Sequence, residues 1–202
     1  IVLFGGKMMG KWAALCLQIF LQTKIIVKGK DNIIKNEKFF IACSHQSMFE
    51  TFYLQTIFNS PIFILKHELI KIPIFGWYLK KIGSVSINRN KISKDNLGLI
   101  DKIKNSVKIS ERPLIIFPQG TRVLPGEKVP FKKGVGRIYD ELKINCQPVA
   151  INSGNVWPKN GSLITNKTIT ISILTGIKPG MRSAEFTSYI EDRIYNELNS
   201  MN

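Results

Sequence analysis

Short apolar runs alternate with longer amphipathic stretches along most of this chain, and no other feature of the sequence restricts the fold as tightly. Strand-like runs occupy 39–43 (FFIAC), 62–65 (IFIL), 85–87 (VSI), 114–117 (LIIF), 148–151 (PVAI) and 169–174 (ITISIL). Between and after them, 48–58, 74–81, 93–108, 135–142 and 184–198 read as helices. Such alternation predicts an α/β sandwich: a largely parallel central sheet with flanking helices. Runs as apolar as FFIA and LIIF fit strands covered on both faces. Ligands of such sheets gather where the strands end. The polar residues just after each strand are therefore the place to look for chemistry.

At 202 residues the chain has room for one domain with a substantial core. Residues 1–26 read as an N-terminal apolar segment and 27–202 as the domain proper. The segment's apolar centre runs from Trp12 to Leu21, between Lys11 and Lys24. A spanning helix needs roughly 20 such residues, about twice that length, so the segment is expected to lie on a membrane or pack on the domain. Whether a spanning helix precedes Ile1 is left open.

The formal net charge of +15 favours a negatively charged partner. Lysine supplies 23 of the 29 cations, with many Ile and Asn beside it, a bias that AT-rich coding produces and that accounts for part of the excess. Three widely spaced cysteines with no C-x-x-C pair argue against a disulfide framework or a zinc site. Two histidines, His45 and His67, are too few for a His-rich metal centre.

Four segments carry chemistry. After 39–43 comes SHQSMFET, in which Ser47-x-x-Glu50 matches a capping box. Within one helix His45 and Glu50 would lie about 140° apart. With His45 in the turn before the cap, Glu50 instead folds back towards it, and one imidazole nitrogen is left as a general base. Positioned proton transfer of that kind is typically worth ~10²–10⁴ in rate. After 114–117 comes PQGTR, a tight turn that gathers backbone N–H groups and Arg122, and Lys132, Lys133 and Arg137 follow around two glycines. Arginine suits bidentate contact with phosphate. GSVSINR delivers Arg89 from a strand, either as a solvated charge or as a second anion contact. The stretch LKHELIKIPIFGWYLKKIG mixes lysines with Ile74, Phe75, Trp77 and Tyr78, and fits either a headgroup-docking surface or a packed connector. QPVAINSG is a buried strand running into a small-residue turn. No G-x-S-x-G elbow, Walker A loop or dinucleotide fingerprint is present, so the histidine is better suited to activating a substrate hydroxyl than an enzyme serine.

In order and spacing, HQSMFE (45–50), GSVSINR (83–89), FPQGTR (117–122) and QPVAINSG (147–154) resemble the motifs of the glycerolipid acyltransferase family of bacterial 1-acyl-glycerol-3-phosphate acyltransferases. The likeness runs from about residue 27 to 174. It departs from the family pattern at Glu50, where Asp is usual, and at Gln119, where Glu is usual. The resemblance implies acyl transfer from acyl carrier protein or acyl-CoA to the free hydroxyl of lysophosphatidic acid. It makes His45 the general base and Glu50 its orienting acid. Arg89, Arg122 and Lys66 become phosphate ligands, Gly120 and Thr121 part of the phosphate loop, and Ser47, Pro118 and Gln119 supporting residues. It implies no metal and no cofactor beyond the thioester co-substrate, a surface of anionic membrane lipids as partner, and a place on the cytoplasmic face of a bacterial inner membrane. Three alternatives stay open: the same chemistry on glycerol 3-phosphate or another lysolipid, an inactive membrane-binding relative, and a basic nucleic-acid-binding module. The last lacks any recognisable groove reader or stacking motif, so no specific nucleic acid is expected.

Overall fold

The computed structural model describes residues 1–87 and 95–201. Its strands are β1 (Lys24–Lys28), β2 (Phe39–Cys43), β3 (Ile62–Lys66), β4 (Val85–Ile87), β5 (Leu114–Ile116), β6 (Asn145–Ile151) and β7 (Thr168–Ile173). Its α-helices are α1 (Val2–Leu21), α2 (Phe49–Ile57), α3 (Phe75–Lys81), α4 (Asp95–Ile109), α5 (Gly134–Leu142) and α6 (Ser183–Asn199). The strands form one sheet in the order β1-β7-β6-β2-β5-β3-β4. From β6 to β4 every pairing is parallel, while β7 pairs antiparallel with β6 and parallel with β1.

The central strand shows why apolar runs become this sheet. Side chains alternate across a strand, and all of Phe40 to Cys43 are buried. Phe40 and Ala42 join a core with α4, α5 and α6. Ile41 and Cys43 join a second core with α1, α2 and α3. The molecule is thus an α/β/α sandwich around a mostly parallel sheet, as the alternation predicts. One strand escapes the sequence reading. Lys24–Lys28 (KIIVK), flanked by lysines and following the apolar segment, forms an edge strand on β7.

The N-terminal segment is helical from Val2, well upstream of its apolar centre. It buries Gly6, Gly10, Ala14 and Leu17 against its neighbours, largely α2. The two glycines allow the approach. A Cβ at Gly10 would stand 2.4 Å from the Phe52 carbonyl oxygen, and one at Gly6 would meet the Tyr78 hydroxyl and the Gln55 side chain. Phe4, Trp12, Ile19 and Phe20 stay exposed on the same helix. Among the described residues, no helix is long and apolar enough to cross a membrane.

This packing separates two glycines of one helix. Gly10→Ala meets backbone and is expected to destabilise by about 1–3 kcal/mol. Gly5→Ala, with nothing within 4 Å of the added carbon, should instead stabilise by about 0.5–1 kcal/mol through helix propensity. Thermal unfolding of both variants checks the pair: a lower Tm for the first and a higher one for the second.

Candidate active site

Because β6, β2, β5 and β3 are parallel, the loops that follow them emerge on one edge of the sheet. Connections leave β2 towards β3 on one side, and β5 towards β6 on the other. The carboxyl end of β2 is therefore the point where crossovers diverge and a crevice opens. His45 lies there, directly after β2.

Glu50 reaches His45 by the capping geometry. Its Oε1 accepts the backbone N–H of Ser47 at 2.9 Å and of Gln46 at 2.7 Å. Ser47 Oγ in turn accepts the N–H of Phe49 at 3.1 Å. The helix itself begins at Phe49 with Met48 at the cap, one residue later than a strict capping box places it. The carboxyl group is 0% exposed, and Nδ1 of His45, whose side chain is 17% exposed, stands 3.8 Å from Oε1. That is ion-pair range and too long for a hydrogen bond. Glu50 Oε2 and His45 Nδ1 have no hydrogen-bond partner among the described residues, nor does the buried Ser153 Oγ.

Three contacts fix the histidine from the β5 side. Its ring stacks on Phe117, with centroids 4.0 Å apart and planes 17° from parallel. Its N–H donates to Gln119 Oε1 at 3.0 Å, and its C=O accepts the N–H of Val123 at 2.9 Å. The loop that does this is itself closed. The N–H of Gly120 returns to the Phe117 carbonyl at 2.9 Å, with Gly120 at φ +71°, and the Pro118 carbonyl accepts from Lys132 at 2.9 Å. From the β6 side, Gln46 Oε1 accepts the N–H of Gly154 at 3.1 Å, tying the turn after β6 to the same loop.

The structure therefore brings together His45, Ser47, Glu50, Pro118, Gln119, Gly120, Thr121 and Arg122. Thr121 is exposed and Arg122 half-buried. Arg122 has no carboxylate or hydrogen-bond partner among the described residues, which suits it to an anion from outside. Lys66 ends β3, two strands from β2, or roughly 10 Å across the sheet. It lies 3.6 Å from Glu68. Arg89 lies outside the described residues. Phe117, Gln46 and Val123 were not singled out by sequence. Their roles depend on loops from separate strands meeting in space, and only the position of Phe117 one residue before the PQGTR turn was there to notice.

Cys43 adjoins this site, and burial, followed by the nearby charge of Glu50, pushes its thiol well above the usual range. Burial does the same to Cys146. Neither is poised as a thiolate nucleophile. No group of His, Cys, Asp and Glu among the described residues is arranged to hold a metal ion.

The Acyltransferase family model matches residues 24–152, well over half of the chain. The chain is 33% identical over 137 residues to a 1-acyl-sn-glycerol-3-phosphate acyltransferase of Pseudomonas aeruginosa, covering 67% of this chain and 52% of that protein. It is 31% identical over 172 residues to the protein of the same name in Helicobacter pylori, covering 79% of this chain and 71% of that one. The crystal structure of the 1-acyl-sn-glycerophosphate (LPA) acyltransferase PlsC from Thermotoga maritima superposes with a TM-score of 0.78 at 27% identity, over 98% of this chain and 78% of that one. The chain thus spans about half the length of one curated relative and about seven tenths of another. With the family model matched across β1 to β6, well over half of the chain, the chain belongs to the Acyltransferase family.

Proposed function

We propose that this protein transfers a fatty acyl group from a thioester, carried by acyl carrier protein or CoA, to the free hydroxyl of 1-acyl-glycerol 3-phosphate, yielding phosphatidic acid. The observation that carries the reading is a mostly buried histidine at the strand edge whose Nδ1 faces a fully buried carboxyl group, with Arg122, which has no partner among the described residues, in the loop bonded to its backbone. With Nδ1 turned to Glu50, Nε2 is left to take the acceptor's hydroxyl proton. The alkoxide oxygen bonds to the thioester carbonyl carbon, the C–S bond breaks as the tetrahedral adduct collapses, and the imidazolium returns its proton to the departing sulfur. Glu50 orients the ring and offsets the charge it acquires.

Arg122 and the turn at Gly120 and Thr121 are suited to the acceptor's phosphate, with Arg89 and Lys66 as further cations from neighbouring strand ends. Gln119, by holding the His45 N–H, does what a carboxylate oxygen would do there without adding a second negative charge beside Glu50. The lipid acceptor implies a bilayer. The exposed aromatic residues of α1 and the net positive charge support seating on anionic membrane lipids, which for a bacterial member of this family is the cytoplasmic face of the inner membrane. A thioester donor needs no metal or other cofactor for this chemistry.

The reading is tested by supplying lysophosphatidic acid or glycerol 3-phosphate with either thioester and following acylated product. Product from lysophosphatidic acid is expected, and no product from either acceptor contradicts the reading. Arg122→Ala should raise the KM for lysophosphatidic acid about ten- to a hundredfold, because a charge-assisted hydrogen bond is worth about 1.5–3 kcal/mol. Monoacylglycerol, which has no phosphate, should be unaffected; equal effects on both acceptors remove Arg122 from phosphate binding. Gln119→Ala, which leaves a buried N–H unpaired, should cost about 1–3 kcal/mol of stability and lower kcat. Gln119→Glu restores the acceptor oxygen and should recover most of the rate; a rate as low as that of the alanine variant would show that the bond to His45 is not what matters.

A further inference from the structure

The segment from the end of β3 through α3 divides in a way its sequence did not reveal. Ile70, Phe75, Tyr78 and Leu79 turn inward onto the core shared with α1 and α2. Leu69, Ile72, Ile74 and Trp77 are exposed. Four large apolar side chains are thus exposed within the nine residues 69–77, a local density that points to an interaction surface.

The backbone holds this patch outward under strain. Ile74 sits at φ 61°, ψ −55°, a conformation that a β-branched residue strongly disfavours, and its side chain is 85% exposed. The turn is closed by the N–H of Phe75 on the Pro73 carbonyl at 2.6 Å and by that of Gly76 on the Ile72 carbonyl at 2.7 Å. It can close because Gly76 lacks a Cβ, which would stand 1.9 Å from the Ile70 carbonyl oxygen. Strain persists where the surroundings enforce it, and it gathers at functional positions.

Charge identifies what would cover the patch. Lys71, Lys80 and Lys81 are exposed around it, and Lys81 Nζ lies 5.8 Å from the Trp77 ring centre. The single acid of the segment, Glu68, is beside Lys66. Apolar and aromatic side chains ringed by lysines match an anionic bilayer: rings and aliphatic tips at the interface, ammonium groups on headgroup phosphates. Location agrees. The segment leaves the carboxyl end of β3, and β3 runs parallel to the strands around β2, so the lip stands on the edge that carries His45.

We propose that residues 69–77 form a membrane-insertion lip, with Ile74 and Trp77 entering an anionic bilayer and setting the strand edge that holds His45 against its surface. The proposal deepens the acyltransferase reading by naming the surface that meets the substrate's bilayer. It needs no turnover, so the two can fail separately.

The test is flotation of the full chain, without acyl donor or acceptor, on vesicles of phosphatidylglycerol and of phosphatidylcholine. Binding to phosphatidylglycerol, weakened by salt and much weaker on phosphatidylcholine, is expected. Ile74→Gly and Trp77→Ala should each reduce partitioning about tenfold. Because glycine relieves the strained turn, Ile74→Gly should bind less while its Tm rises or holds. Ile109→Ser is the control: Ile109 is also 85% exposed but ends α4, at the opposite edge of the sheet, and should bind like the parent. Undiminished binding by Ile74→Gly, or an equal loss in Ile109→Ser, overturns the proposal. So does lack of binding to phosphatidylglycerol, equal binding to the two lipids, or a patch whose variants alter only self-association.

Discussion

A carboxyl group removed from water needs partners, and the turn after β2 is shaped to provide them for Glu50. Its Oε1 gathers the N–H groups of Gln46 and Ser47, and this forces the chain to wrap back before α2 begins. That wrap presents Nδ1 of His45 to the same oxygen. Leaving such a group without partners would cost about 1–3 kcal/mol or more, so the fold depends on the same interaction to which the proposed chemistry is assigned. Its other oxygen has no hydrogen bond among the described residues. The imidazolium formed by proton abstraction would supply the counter-charge this arrangement lacks.

The constraint extends outward from there. A turn held so tightly at its helix side still leaves the imidazole free to rotate, and the loop after β5 removes that freedom by stacking Phe117 on the ring and pinning the His45 backbone from both its N–H and its C=O. The same loop carries Arg122, so the proposed proton acceptor and the proposed anion ligand are tied to one loop. The antiparallel return of β7 brings its first residues to this edge, where the N–H of Thr170 donates to Asn152 Oδ1 at 2.7 Å and braces the turn after β6. With the edge strand β1, β7 extends the sheet beyond β6.

Much of the fold was legible because its strands are unusually plain. FFIAC and VSI have the boundaries their apolar runs suggest, and a central strand buried on both faces leaves few alternatives. KIIVK was missed because an edge strand is short, flanked by lysines and half exposed, so its pattern blends into the end of α1. The start of α1 lies upstream of the apolar centre at 12–21, and only packing against neighbouring elements shows Gly6 and Gly10 as contacts. In the site, the approach of Glu50 to His45 could be read from Ser47-x-x-Glu50, since capping is local. The grip of Gln119 on the His45 backbone spans 74 residues of sequence and could not be. The segment 66–81 fitted two readings equally, a docking surface and a packed connector; one face packs on the core, and the other is the exposed face that the proposal assigns to a bilayer.

The claim that His45 and Glu50 act as one unit is tested most directly by the rate of phosphatidic acid formation in His45→Ala, Glu50→Gln and the double variant, at matched concentrations of folded protein. The pair predicts a loss of about 10²–10⁴ in kcat for His45→Ala, and a double variant no slower than that single one, because an orienting carboxyl group has nothing left to orient. A His45→Ala protein that keeps the parent's rate, or losses that multiply in the double variant, would contradict it.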